Sequence, residues 1–266
     1  MRPADAPLPD VADLERRFGG LRRLYGDAGY QRLRGAVVGV VGLGGVGSWA
    51  VEALARCGVA SLVLVDLDHI AESNVNRQVQ AVGATLGQHK GEALRGRIAD
   101  IHPGCAVHVV DAFVEPGNWP SLLPRPVDVL IDACDQVRAK LALAAWGLAK
   151  QVPVVCVGAA GGKREAQRVE VADLAETTHD PLLASLRQRL RKEAGAPRQG
   201  TMGLRCVFSR ENVAAPADAA CSSDGDSDGT LNCHGYGSTV TVTATFGLVA
   251  AGEAIAQLLA APGRPK

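Results

Sequence analysis

The 266-residue sequence predicts an α/β protein: a doubly wound, mostly parallel sheet with helices on both faces and a C-terminal extension of that sheet. Three observations predict it. The apolar, β-branched run Val37-Val38-Gly39-Val40-Val41 ends in a glycine turn and opens an apolar-periodic helix. Strand and helix patterns then alternate in β-α-β-α-β order, which demands mostly parallel neighbours. Aromatic residues make up only 4% of the chain while Ala, Val, Leu and Gly abound, which suits a parallel sheet wrapped by small-residue helices.

Residues 1–12, rich in Pro, Ala and Asp, are expected to be disordered. Residues 13–34 set Leu14, Phe18, Leu21, Leu24, Tyr25 and Leu33 among arginines, the pattern of short helices packed outside the sheet. Residues 36–41 form the first strand. A helix over 46–57 turns Val46, Ala50, Ala53, Leu54 and Cys57 inward. The second strand, 61–66, ends in Asp66. Residues 68–82 form a long polar connection without periodicity, and such a loop beside a glycine turn is more often functional than a mere linker.

A helix over 85–101 buries Leu86, Leu94, Ile98 and Ile101 and stops at His102-Pro103-Gly104. Strands at 106–110, 127–132 and 152–157, with a helix at 139–150, complete the alternation. After Gly158-Ala159-Ala160-Gly161-Gly162 come a strand at 168–174, a basic helix at 180–194, and an Ala/Ser/Asp/Gly-rich segment at 214–229 expected to be mobile. A second glycine-rich crossing at 232–237 precedes a closing stretch, 238–259, that reads as strand or helix followed by helix. Residues 13–160 are thus expected to form the nucleotide-binding part, and 161–266 the C-terminal part of the same domain.

Twenty-eight basic residues balance 28 acidic ones, so no global field advertises nucleic acid, and any RNA contact must be a local patch. Seven cysteines form no Cys-x-x-Cys pair, which argues against a disulfide scaffold and against a four-cysteine zinc clip; a reducing, cytoplasmic compartment fits. Residues 1–7 lack the apolar core of a signal peptide. Residues 239–261 are apolar enough to raise the question of a membrane, but threonines, glycines and Glu253 interrupt them, so a buried element is expected rather than a span. Peripheral association with a membrane stays open.

The chemistry centres on Gly42-Leu43-Gly44-Gly45-Val46-Gly47, where Gly42, Gly44 and Gly47 give Gly-x-Gly-x-x-Gly spacing. Such a turn lets backbone approach a phosphate, and the helix after it points free N–H groups at the anion. With Asp66 at the end of the next strand, the turn suits a dinucleotide as readily as ATP. Three features argue against hydride transfer: Asp66-x-Asp68 followed by Ser73-Asn74-Val75-Asn76-Arg77-Gln78; Lys90 after Gly87-Gln88-His89; and Asp132-Ala133-Cys134-Asp135 closing the fourth strand. Strand C-terminal ends border the crevice in such sheets, so Asp66 and Asp135 should face one cavity, within reach of Arg77 and Lys90. Two cations and an acid able to hold Mg²⁺ are what a triphosphate needs. Singly, Arg77 reads as a surface ion pair and Lys90 as a solvated helix residue; jointly with the turn and the acids, they read as a site.

As a set, these motifs resemble the ubiquitin-activating-enzyme-like adenylyltransferases, the ThiF and MoeB family, in order and spacing over about residues 13–160. The resemblance implies a Rossmann-like ATP site in which Gly45 and Asp66 contact adenosine and ribose, Asn74, Arg77 and Lys90 hold phosphates, and Asp135 binds Mg²⁺. It extends to Gly42, Gly44, Gly47, Asp68, Asn76, Gln78 and Asp132 as further nucleotide-site candidates. A monovalent cation, Na⁺ or K⁺, is an additional candidate ligand, and no zinc is expected. Members that activate ubiquitin-like tails often carry two Cys-x-x-Cys pairs, and this chain has none.

Other stretches are similar to one branch, the dehydratases that act on threonylcarbamoyladenosine in tRNA. They are Arg17-Phe18-Gly19-Gly20, Arg23-Leu24-Tyr25-Gly26, Gly158–Gly162, Asp173-Leu174-Ala175, Asp180-Pro181-Leu182, Cys206-Val207-Phe208-Ser209 and residues 241–247. That branch implies attack of the modification's free carboxylate, at position 37 of a tRNA, on the α-phosphate of ATP, followed by cyclisation with loss of AMP. The alternative is adenylation of the C-terminus of a ubiquitin-like sulfur carrier. The resemblance further implies a homodimer, with Arg17 and Arg23 as candidates for reaching a neighbouring subunit's phosphates or for ordinary packing, and it suggests a sulfur-acceptor partner protein. Arg187, Arg189, Arg191 and Lys192 are candidate tRNA-backbone contacts or a solvated face. Cys233 is a candidate nucleophile or sulfur acceptor, or an inert thiol.

Overall fold

A computed structural model describes residues 12–214 and 236–260. The expected disorder of residues 1–12 (residue 12 apart), the expected mobility of 214–229 (residue 214 apart), and Cys221 and Cys233 lie outside the described residues.

Strands β1 (Val37–Val41), β2 (Ser61–Val65), β3 (Ala106–Val110), β4 (Val129–Asp132), β5 (Val154–Val157), β6 (Val169–Asp173) and β7 (Arg205–Ser209) form one sheet in the order β3-β2-β1-β4-β5-β7-β6. All neighbours are parallel except β6 and β7. Strand order reverses beside β1, where the connection leaves toward β2 on one side and β4 on the other, and this is where such sheets open a crevice at their C-terminal ends. Strands β1, β2, β4 and β5 are buried throughout, which explains their near-continuous Val/Leu/Ile character.

Helices α1 (Leu14–Gly35), α2 (Gly47–Arg56), α3 (Lys90–Ile101), α4 (Val137–Lys150), α5 (Pro181–Glu193) and α6 (Val240–Ala260) cover both faces. One core packs α2, α3 and α6 on the sheet; the other packs α4 and α5 on the opposite face. The short helices expected at 13–34 are two runs broken at Gly26, whose φ of 70° ends regular helix geometry.

Three expectations change. The helix expected from residue 85 begins at Lys90, because Gly87 takes φ 78° and His89 caps the first turn by accepting from the Gly91 N–H. β7 is a strand the pattern did not reveal; it slots between β5 and β6. The closing stretch is one helix, α6, despite its Val/Thr-rich start, since Gly247 lets it lie directly on the Val46 carbonyl at the start of α2. Helix α6 is long and apolar enough to cross a membrane, yet its face carrying Val242, Phe246, Ala250, Ala254 and Leu258 is buried against the sheet.

Candidate functional site

The glycine turn joins β1 to α2. Gly42 holds φ 85°, and a Cβ there would sit 2.8 Å from the Ala133 carbonyl; a Cβ on Gly47 would collide with the Gly42 carbonyl. Only glycine fits either position, whereas Gly44 faces open space. The turn is pinned from β2: Asp66, 7% exposed, accepts from the Leu43 N–H (2.6 Å) and the Asp68 N–H (2.8 Å).

Beyond this turn lies a cavity of about 370 Å³. It brings together Gly42, Gly44, Gly45, Asp66, Asp68, Asn74, Arg77, Gln78, Lys90 and Asp135, residues drawn from five separate stretches of sequence. Lys90, buried at the start of α3, places its ammonium 2.5 Å from Asp68 Oδ2 and 3.9 Å from Asp66 Oδ1. Arg77 donates to the Ser73 carbonyl (2.6 Å) and to Asn76 Oδ1 (2.9 Å) and has no carboxylate partner among the described residues. Burial lowers its guanidinium from the ordinary value, the mark of a cation short of both water and counter-charge. Burial likewise raises the Asp135 carboxyl, partly offset by backbone and by the charges of Lys140 and Lys90. Asn74 accepts from the Ala71 N–H at 3.0 Å, closing the turn that presents Arg77.

Three candidates lie outside the cavity wall. Gly47 serves the turn itself. Asn76 donates to the Ser238 carbonyl at 3.0 Å and so ties the Arg77 loop to the start of α6. Asp132 is corrected as a ligand-facing acid: it is 0% exposed, and its Oδ1 lies 3.1 Å from Lys140 Nζ. The Cys134 and Cys156 thiols donate to the same carboxylate at 2.9 and 3.5 Å. Burial first, and then the Asp132 charge, hold both thiols well above the ordinary value. Cys134 therefore lines the cavity as an inert thiol rather than a thiolate.

On α5, the buried stripe Leu182, Leu183, Leu186 and Leu190 faces the core. Arg187 donates to the Leu174 and Thr177 carbonyls at 3.1 and 2.8 Å, Arg191 to those of Pro197 and Arg198 at 3.2 and 3.3 Å, and Arg189 pairs with Glu193 at 4.0 Å. Of that basic set, Lys192 is exposed and the three arginines are half-buried. Arg17 caps α3 of its own chain by donating to the Asp100 and Ile101 carbonyls at 2.8 and 2.7 Å, while Arg23 is exposed.

The structure adds wall residues to which the sequence reading gave no role in the site: His69, Phe113, Leu182, Tyr236 and Thr243. Phe113, 46% exposed, follows β3, so the rule that ligands gather at strand C-terminal ends would have found it. No periodicity marked the others. The arrangement can hold a polyanion: a glycine turn at a helix N-terminus, one cation lacking a carboxylate, one buried ammonium and an acid share a single cavity.

The sequence matches the ThiF family over residues 17–266. It is 41% identical over 255 residues to the tRNA threonylcarbamoyladenosine dehydratase of Escherichia coli K12, covering 93% of this chain and 95% of the relative. The corresponding Haemophilus influenzae protein is 39% identical over 253 residues, covering 94% and 95%. A crystal structure of the E. coli dehydratase, TcdA, in complex with ATP superposes with a TM-score of 0.84 at 40% identity, covering 94% of this chain and 97% of that one.

Proposed function

We infer that this chain, which belongs to the ThiF family, is an ATP-dependent dehydratase of N6-threonylcarbamoyladenosine at position 37 of tRNA. The observation that carries the reading is the convergence of the glycine turn, Arg77, Lys90 and Asp135 in one cavity. Near-full-length similarity to the E. coli and H. influenzae dehydratases supports the choice of substrate.

The free carboxylate of the modification attacks the α-phosphorus of ATP; a P–O bond forms, the α–β bridge breaks and pyrophosphate leaves. The urea group of the same modification then attacks the activated carbonyl, loses its proton and expels AMP. The first step needs alignment and charge neutralisation rather than a protein nucleophile, and the second is intramolecular. The inert state of the Cys134 thiol agrees with this.

Gly44 admits the phosphates to the turn, Gly45 and Asp66 meet adenosine and ribose, and Arg77, Asn74 and Lys90 meet the phosphate chain. Lys90 would exchange its Asp68 contact for phosphate oxygens. Asp135 suits Mg²⁺, because it offers a hard oxygen donor whose charge is poorly solvated in the cavity wall. When bound, the ion offsets charge on phosphate oxygens. We further place the enzyme in the cytoplasm as a homodimer, with Arg23 the better-placed candidate for contact across subunits because Arg17 is engaged within its own chain. Lys192 is the residue of α5 freest to meet a tRNA backbone.

ATP–pyrophosphate exchange tests the reading. Exchange should require threonylcarbamoylated tRNA and proceed without a carrier protein; exchange that requires a small ubiquitin-like carrier and ignores the tRNA overturns it.

A further inference from the structure

Thr243 of helix α6, and Ser238 just before the helix, line one side of the cavity. Thr243 is 3% exposed, and its Oγ1 has no hydrogen-bond partner among the described residues. A buried hydroxyl left unpaired costs stability. Two residues on, Thr245 shows the usual resolution, donating back to the Thr241 carbonyl at 2.7 Å. Thr243 makes no such bond.

Its surroundings favour an anion. A Cβ built on Gly45 would lie 3.2 Å from Arg77 Cγ and 3.3 Å from Thr243 Cβ, so glycine turn, arginine and threonine meet at one point. The Asn76 bond to the Ser238 carbonyl fastens the Arg77 loop to the start of α6. The first turn of this 21-residue helix carries no acidic residue to offset the positive end of its dipole, although its Val242 and Thr243 N–H groups donate to the Thr239 carbonyl at 3.2 and 3.1 Å.

We propose that Thr243 Oγ1, the first turn of α6 and Arg77 form a phosphoanion subsite that takes the pyrophosphate end of the nucleotide. The subsite rests on the ATP reading above and deepens it, giving the leaving group a donor set distinct from the glycine turn. The incoming carboxylate approaches the α-phosphorus from the side away from the leaving group, whereas Thr243 stands near the aliphatic stem of Arg77, whose guanidinium neutralises that group.

Calorimetric titration of ATP, AMP and inorganic pyrophosphate into wild type and Thr243→Val tests this, together with the melting temperature of each nucleotide-free protein. Valine keeps the shape and deletes only the hydroxyl. The expected result is a melting temperature equal to or above wild type, affinity for ATP and pyrophosphate reduced about tenfold, and AMP affinity changed less than about twofold. Thr243→Ser should restore ATP affinity, and Thr243→Ala should repeat the valine pattern. Equal loss for AMP and ATP, no loss for either, or a lowered melting temperature with unchanged nucleotide affinity overturns the subsite. Wild type that binds no ATP defeats the nucleotide reading itself, which separates the two failures.

Discussion

Lys90 holds its ammonium between Asp66 and Asp68 inside the cavity, so it organises the acids before any ligand arrives. Lys90→Ala is expected to reduce adenylation roughly 10²–10³-fold, the range seen when one donor to developing charge is removed, as read in pyrophosphate exchange. Asp135 allows a sharper test because its carboxyl is raised by burial. The folded chain therefore binds more protons than the unfolded chain just above the ordinary aspartate range. Stability contributed by this group falls as pH rises through that window, and the charged form is a net cost at neutral pH. Asp135→Asn should accordingly keep or raise the nucleotide-free melting temperature at pH 7 while abolishing Mg²⁺-dependent exchange. A lowered melting temperature with activity intact would contradict its placement as a ligand-facing acid.

At the scale of elements, the turn between β1 and α2 tolerates nothing larger than glycine at position 47, where a Cβ meets backbone rather than a yielding side chain. Gly47→Ala is expected to cost about 1–3 kcal/mol in urea denaturation and to weaken ATP binding with it. Asp132 and Lys140 fix the end of β4 to α4 through a fully buried ion pair. Lys140→Met leaves the Asp132 carboxylate buried without its cation and should destabilise the protein by about 3–5 kcal/mol. That pair also shows where sequence reading stops. Asp132 and Asp135 stand three residues apart in one acidic motif, and only the fold decides that the first closes a buried strand and the second reaches the cavity. The parallel strands were legible because burial on both faces writes continuous Val/Leu/Ile runs. Strand β7 was not, because Cys206-Val207-Phe208 is short and flanked by loops. Helix α6 was ambiguous because β-branched residues favour strands locally, while packing on α2 through Gly247 imposes a helix.

For the whole molecule, the sheet's change of direction gathers residues from distant stretches into one cavity, and that convergence was readable once Arg77, Lys90, Asp66 and Asp135 were taken jointly. The chain has zero formal net charge, and Arg187 and Arg191 of α5 are bonded within their own chain. Leu24, 69% exposed beside Arg23 on α1, is the position at which the proposed dimer can be tested. Light scattering should give the mass of two chains, and Leu24→Glu should shift it toward one; a monomeric wild type would refute the dimer. The most direct test of the central claim is the mass of the product nucleoside. After incubation with ATP, Mg²⁺ and threonylcarbamoylated tRNA, followed by digestion, the modified adenosine should be lighter by one water. An unchanged nucleoside mass, with ATP bound and the protein folded, would contradict the account.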